Sequence, residues 1–137
     1  MPIRYPVRCE WWLHKPSHWI TIETMLTVAE LPEFIHTANK LLTESERQDI
    51  IRYLAEYPKS GDLMEGTGGV RKLRWGRGGQ GKSGGVRVIY YFHDEAMPLY
   101  LLTLFAKGNQ ANLSKAERND LADLVKLLVQ SWKRKPT

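Results

Sequence analysis

The feature that most limits what this chain can become is a change of apolar period near Val70. Before it, apolar residues recur at helical spacing. After it, three segments in succession (Val70 to Trp75, Val86 to His93 and Leu99 to Ala106) are rich in β-branched, aromatic and leucine residues, which suit a pleated surface. Three consecutive strands predict an antiparallel meander. Its first turn, Gly76 to Gly85, is long and glycine-rich, and its second, Asp94 to Pro98, is short. The last two strands are apolar at both parities, which places them centrally in the sheet with both faces covered.

The flanking segments are helical. Pro32 suits a first helical turn, and Phe34, Ile35, Ala38, Leu41 and Leu42 follow at helical spacing. A second helix starts at Thr43, whose hydroxyl caps while Glu46 reaches back. Ile50, Ile51 and Leu54 form its inward stripe, and Pro58 and Gly61 stop it. A last helix starts at the second capping box, Ser114 with Glu117, and turns Leu121, Leu124, Val125, Leu128 and Trp132 to one side. The expectation is an α+β fold: two N-terminal helices and a C-terminal helix packed on an antiparallel sheet, the three-stranded meander plus an optional N-terminal edge strand. Residues 1–24 hold three prolines and no sustained period and are assigned no element. Lys133 to Thr137 are expected to fray as a basic tail.

At 137 residues this is one domain with a core large enough to stand without staples. Cys9 is the only cysteine, so no intrachain disulfide exists and a reducing, cytoplasmic setting is expected. Apolar runs such as Leu99 to Leu102 are too short to cross a bilayer, and Arg4, Arg8 and Glu10 interrupt any secretory signal. No membrane is expected among its partners.

The formal charge of +5 is unevenly placed. Residues 19–65 hold nine acids against four bases, whereas residues 66–91 hold Arg71, Lys72, Arg74, Arg77, Lys82 and Arg87 with no acid. Six cations without counter-charge call for a polyanion or for carboxylates brought from elsewhere, and nucleic acid is the first candidate. The alternative is a basic patch that meets only water and salt.

Two motifs are rejected on context. Gly76 to Ser83 fits GxxxxGK[ST], and Gly76, Gly78 and Gly81 fit GxGxxG. A phosphate loop needs a helix to open at its Lys-Ser pair, and here a strand former follows. The glycines still let a loop bring Arg77 and Lys82 to a phosphate backbone. Cys9, His14 and His18 have Pro16 among them and no fourth ligand nearby, so no metal is expected.

Lys72 and Arg74 leave one side of their strand, Leu73 and Trp75 the other. Arg87 shares a side with Ile89 and Tyr91, and Lys107 follows Thr103 and Phe105 at one parity. If those sides coincide, four cations and interleaved aromatics form a surface suited to RNA, with Tyr91 and Phe105 stacking on bases and Arg71, Arg77 and Lys82 adding to the phosphate-binding set. Snorkelling cations at a sheet edge are the alternative.

RNA carries its own nucleophile. Attack of a 2′-hydroxyl on the adjacent phosphate needs a base, cations for the phosphorane and an acid for the leaving 5′-oxygen. A lysine among arginines loses its proton more readily, because like charges disfavour the charged form. Lys72 is the candidate base, Arg74 and Arg87 the phosphate clamp, and Lys107 the charge stabiliser or acid. The two lysines can exchange roles, and His93 is a rival acid–base group. The acid-free segment speaks against a two-metal nuclease, which needs carboxylates, and no cofactor is expected.

Three blocks carry a family resemblance: Glu65-Gly66-Thr67-Gly68-Gly69-Val70-Arg71-Lys72-Leu73-Arg74-Trp75, then Gly81-Lys82-Ser83-Gly84-Gly85-Val86-Arg87-Val88-Ile89-Tyr90-Tyr91, then Tyr100-Leu101-Leu102-Thr103 with Ala106-Lys107. In this order and spacing the chain resembles the HigB-type branch of the RelE/ParE superfamily of bacterial toxins, from about Met25 to Trp132. The resemblance implies a RelE-like fold with a basic concave face, and the toxin of a type II toxin–antitoxin pair that cuts messenger RNA in the ribosomal A site without metal. It implies a cognate antitoxin, expected to be a helix-turn-helix protein encoded adjacently, covering the basic face or a neighbouring surface. By matched position Lys72, Arg74, Arg87 and Lys107 fall where such toxins place catalytic and phosphate-binding residues. Leu113 stands where several ribosome-dependent members have a stacking tyrosine. Family members tend to start near Met25, so residues 1–24 are either an upstream misread of the start or a real extension, expected to be dispensable for fold and toxicity; residues 25–132 are the toxin domain and 133–137 the tail. The competing functions are a ParE-like, non-enzymatic inhibitor of DNA gyrase and a degenerate toxin homologue that only binds nucleic acid.

Overall fold

The computed structural model describes residues 3–8, 23–76, 85–106 and 113–134. In chain order the elements are β1 (Ile3–Arg8), β2 (Glu23–Glu30), α1 (Pro32–Leu41), α2 (Glu44–Glu56), β3 (Asp62–Leu63), β4 (Val70–Trp75), β5 (Val86–Tyr91), β6 (Leu99–Ala106) and α3 (Lys115–Arg134). The strands form one six-stranded sheet in the order β1-β2-β6-β5-β4-β3. The fold is α+β, as expected.

The meander holds. β4 pairs antiparallel with β5, and β5 with β6. β5 and β6 lie at the centre of the sheet, and every residue of β5 is buried. The expectation of a wholly antiparallel sheet is corrected by β2, which runs parallel to β6 from Val28↔Leu99 to Glu30↔Leu101. A parallel pair needs a long crossover, and here α1 through β5 intervene. The optional N-terminal edge strand is present as β1. β1 pairs antiparallel with β2 and takes the sheet edge. The two-residue β3 forms the other edge, with Asp62 opposite Lys72.

Both capping boxes form. The Glu46 N–H donates to Thr43 Oγ1 at 3.1 Å while the Thr43 N–H donates to Glu46 Oε1 at 2.9 Å. Ser114 and Glu117 repeat the exchange at 3.0 and 3.1 Å. Such caps satisfy N–H groups that the first turn leaves without partners. Arg47 then ties Glu44 in the first turn of α2 to Glu30 at the end of β2. Ile35, expected on the inward stripe of α1, is exposed; Phe34 and Ala38 carry that face. α3 continues through Lys133 and Arg134, the start of the expected tail.

Alternation along the strands sends side chains into two cores. Leu73, Val86, Val88, Tyr90, Leu101 and Leu104 meet α1 and α2 through Phe34, Ala38, Ile50, Ile51 and Leu54. Val70, Ile89, Tyr91 and Leu102 meet α3 through Val125, with Leu121, Leu124, Leu128 and Trp132 around it. A bulge keeps this alternation useful: Ile89 faces Thr103 and Tyr90 faces Leu101, so Leu102 is the extra residue and turns into the second core. Helices therefore cover both faces of the sheet. Among the described residues no helix is long and apolar enough to cross a membrane.

Candidate nucleic-acid interface

The β4 strand owes its position to an unusual turn. Between β3 and β4 the chain passes Gly66, Gly68 and Gly69 at φ of 76°, 77° and 116°, a region that side-chain-bearing residues rarely adopt. Thr67, fully buried among them, donates from Oγ1 to the Met64 carbonyl at 2.7 Å and accepts from the Val70 N–H at 3.1 Å. This turn sets β3 antiparallel to β4 in the register that brings Asp62 opposite Lys72.

Ladder partners share a face, so the register shows which side chains meet. Lys72 lies across from Ile89, which lies across from Thr103; Arg74 lies across from Arg87, which lies across from Phe105. Two parallel rows result, Asp62-Lys72-Ile89-Thr103 and Arg74-Arg87-Phe105, both on the α3 side of the sheet. Lys72 and Arg87 are thus brought together with Arg74, as the sequence parity requires. The expected free basic face is corrected in one respect: α3 packs on the same face, where Phe105 joins the core it covers and Arg87 is buried, so Arg74 is the exposed member of its row.

Beside the rows is a hollow of about 260 Å³ lined by Asp62, Leu63, Met64, Glu65, Lys72, Arg74 and Arg118. Among the described residues the side chains of Lys72 and Arg74 enter no hydrogen bond or ion pair. Arg74 is exposed, Lys72 half-buried, and Arg87 only 8% exposed. Three of these lining groups were not legible as site residues. Arg118 arrives from the first turn of α3, and Asp62 and Glu65 bring carboxylates beside a segment that in sequence has none. A second hollow of about 560 Å³, lined by Glu65, Gly66, Leu113, Lys115, Arg118 and Asn119, shares Arg118 and Glu65 with the first.

Other sequence candidates are placed elsewhere. Arg71 leaves the opposite side of β4 and donates to the carbonyls of Lys59 at 3.1 Å and Gly61 at 2.7 Å. It fixes the approach to β3 and does not join the cationic rows. Tyr91 is 5% exposed in the second core, where burial, and then the Asp94 carboxylate, push its hydroxyl's pKa up. Its ring is not free to stack on a base, whereas Phe105 is half-buried at the end of the Arg74-Arg87 row. His93 stands past the end of β5 away from Arg87, its ring stacked at 6.3 Å on Tyr91. Lys107, Arg77 and Lys82 lie outside the described residues, as do Cys9, His14 and His18. Among the described residues no group of three or more His, Cys, Asp or Glu is placed to hold a metal ion.

The geometry is that of a cationic surface beside one edge of an α+β sheet. Residues 34–135, from α1 through α3, match the model of the RelE toxin of the RelE/RelB toxin–antitoxin system. That span holds both cationic rows and both hollows. This chain therefore belongs to the RelE toxin family, the toxin half of a toxin–antitoxin system whose partner is an antitoxin.

Proposed function

We propose that this toxin is a HigB-type, ribosome-dependent messenger-RNA endoribonuclease working in the cytoplasm by 2′-hydroxyl attack without metal. The observation that supports it best is the Arg74-Arg87-Phe105 row beside Lys72. A guanidinium pair suits a phosphodiester, whose two non-bridging oxygens accept a planar fork of donors, and an aromatic at the row's end suits an unpaired base.

The proposed chemistry runs as follows. Lys72 takes the proton of the 2′-hydroxyl as its oxygen attacks the adjacent phosphorus. Arg74 and Arg87 hold the extra negative charge of the phosphorane, the stage at which oriented cations contribute most. The bond to the 5′-oxygen breaks, and Lys107 donates the proton that oxygen needs, or exchanges roles with Lys72. The products are a 2′,3′-cyclic phosphate and a 5′-hydroxyl end. The antitoxin is proposed to be an adjacently encoded helix-turn-helix protein that covers the cationic rows.

Induction of the protein in cells, followed by mapping of messenger-RNA ends and of plasmid supercoiling, tests the proposal. New cuts within translated codons, lost in Lys72→Ala and Arg87→Ala, are expected. Altered supercoiling with intact transcripts points instead to gyrase inhibition and overturns the nuclease reading.

A further inference from the structure

We propose that Arg118 forms a second phosphate subsite, which holds the RNA one nucleotide beyond the scissile phosphate and leads the strand into the hollow at the start of α3. The proposal rests on the ribonuclease reading and deepens it by defining how much of the strand the protein grips.

The position of Arg118 carries the argument. It lines the 260 Å³ hollow together with Lys72 and Arg74, and also the 560 Å³ hollow together with Leu113, Lys115 and Asn119. A ligand that leaves the first hollow for the second passes its guanidinium. Nε of Arg118 is buried from water and has no hydrogen-bond partner. Buried donors are ordinarily satisfied, and an N–H closed to water is closed to a phosphate too, so it is the two terminal nitrogens, which no acceptor among the described residues holds, that the guanidinium offers to a ligand in the hollows. An arginine offers its donors as a planar fork, which matches two phosphate oxygens and explains why a phosphate in particular completes it.

The surroundings decide which wall of the hollows the backbone follows. Lys115 adds a second cation only in the outer hollow. Asn119, with both an amide donor and an acceptor, suits a base edge, and Leu113 gives that base an apolar wall. Glu65 borders both hollows. Its carboxylate repels phosphate but accepts from a ribose hydroxyl or a base amino group, so it confines the backbone to the Arg118 side. Among the described residues Arg118 forms no ion pair within 4 Å with Glu65 or with Asp62, the two carboxylates that line its hollows.

The test compares two fluorescein-labelled, 2′-O-methyl oligoribonucleotides, a dinucleotide and a pentanucleotide, by anisotropy on the full chain. The wild-type protein is expected to bind the pentanucleotide at least ~10-fold more tightly. Arg118→Gln is expected to lose about 5–10-fold on the pentanucleotide and to stay within about twofold on the dinucleotide, with the salt slope on the longer probe falling by about 0.7, the value for one phosphate contact on a single strand. Lys115→Gln, at an exposed position, is expected to show the same length-selective loss at smaller size, which guards against a folding defect in the Arg118 variant. Arg52→Gln, on the exposed surface of α2, changes neither probe. Equal losses on both probes, or none, overturn the subsite while leaving the ribonuclease reading intact. If the wild type binds neither probe, the subsite is overturned as well, and the ribonuclease reading is then judged separately by the mapping of messenger-RNA ends in induced cells.

Discussion

Arg74 stands directly opposite Arg87 in the β4–β5 ladder, so two cations leave one face of the sheet as cross-strand partners. Like charges in such a pair oppose folding by roughly 0.2–1 kcal/mol. A phosphate held between the two guanidiniums, as the proposed function has it, would offset that cost. Replacing exposed Arg74 by Thr, a good strand former, is expected to raise Tm by roughly 1–4 °C while lowering messenger-RNA cleavage at least ~10-fold. Thermal unfolding and transcript-end mapping on the same variant check the two signs. If Tm falls together with cleavage, the arginine is structural and the argument from opposed cations is lost.

Tyr90 shows the opposite arrangement, a polar group that serves the fold. Its ring is fully buried, and its hydroxyl accepts from the Gly61 N–H and donates to the Pro58 carbonyl, both at 2.8 Å. It pins the α2–β3 connection and thereby the strand facing Lys72. Tyr90→Phe leaves both backbone groups without this partner and is expected to cost about 1–3 kcal/mol. Burial raises the pKa of this phenol above its ordinary value, outweighing the Gly61 hydrogen bond. The folded state therefore holds the proton more tightly than the unfolded chain. The hydroxyl's contribution is complete below about pH 10, the unfolded value, and is lost as pH rises through the raised folded value. Denaturant melts from pH 7 to 11 are expected to show the gap between wild type and Tyr90→Phe closing only above pH 10. A gap that closes near neutrality contradicts this account.

The glycine-threonine turn is the part of the family-like block whose physical purpose only the coordinates reveal. Thr67→Val keeps the shape but removes the hydroxyl that bonds Met64 and Val70, at an expected cost of about 1–3 kcal/mol. Gly68→Ala meets no clash, since its nearest neighbour, Val125 Cγ1, lies at ordinary van der Waals distance, 3.9 Å. Its cost is then conformational, roughly 1 kcal/mol for a side chain held at φ of 77°. Because the turn sets the β3–β4 register, both variants are expected to lose RNA affinity beyond what their Tm values explain at a temperature where each is fully folded. Unchanged affinity under those conditions uncouples the turn from the site.

How far the sequence could be read follows from how local each signal is. The capping boxes at Thr43 and Ser114 and the side shared by Lys72 and Arg74 depend on spacings of two or three residues, and the coordinates agree with them. The parallel pairing of β2 with β6 depends on partners some 70 residues apart, Val28 and Leu99, and no local period encodes it. Arg118 was missed for the same reason. On its own helix it is an ordinary charged residue one turn past a cap, and it becomes a site residue only because α3 packs beside β4. Tyr91 and Arg71 show the converse. Their residue types suit RNA, but strand alternation sends one under α3 and the other to the far face.

The last prediction concerns the N-terminal strand. β1 and the site occupy opposite ends of the sheet order: β1 is one edge, while β4, with Lys72 and Arg74, lies next to the other. A chain beginning at Met25 loses β1 and the first two residues of β2, yet keeps the parallel register of Val28 to Glu30 with β6 and the buried side chains of Leu26 and Val28. The family match itself begins at residue 34, beyond both strands. Toxicity on induction is therefore expected to survive the truncation, with RNA affinity within about twofold of the full chain. The cost is expected at the far edge, where the outer hydrogen-bonding groups of β2 lose their partner strand and are open to pairing with another chain. Light scattering at increasing concentration should show that as weak self-association, with little change in dilute solution. A truncated chain that stays soluble and folded but no longer arrests growth would mean that residues 1–24 contribute to the toxic function directly.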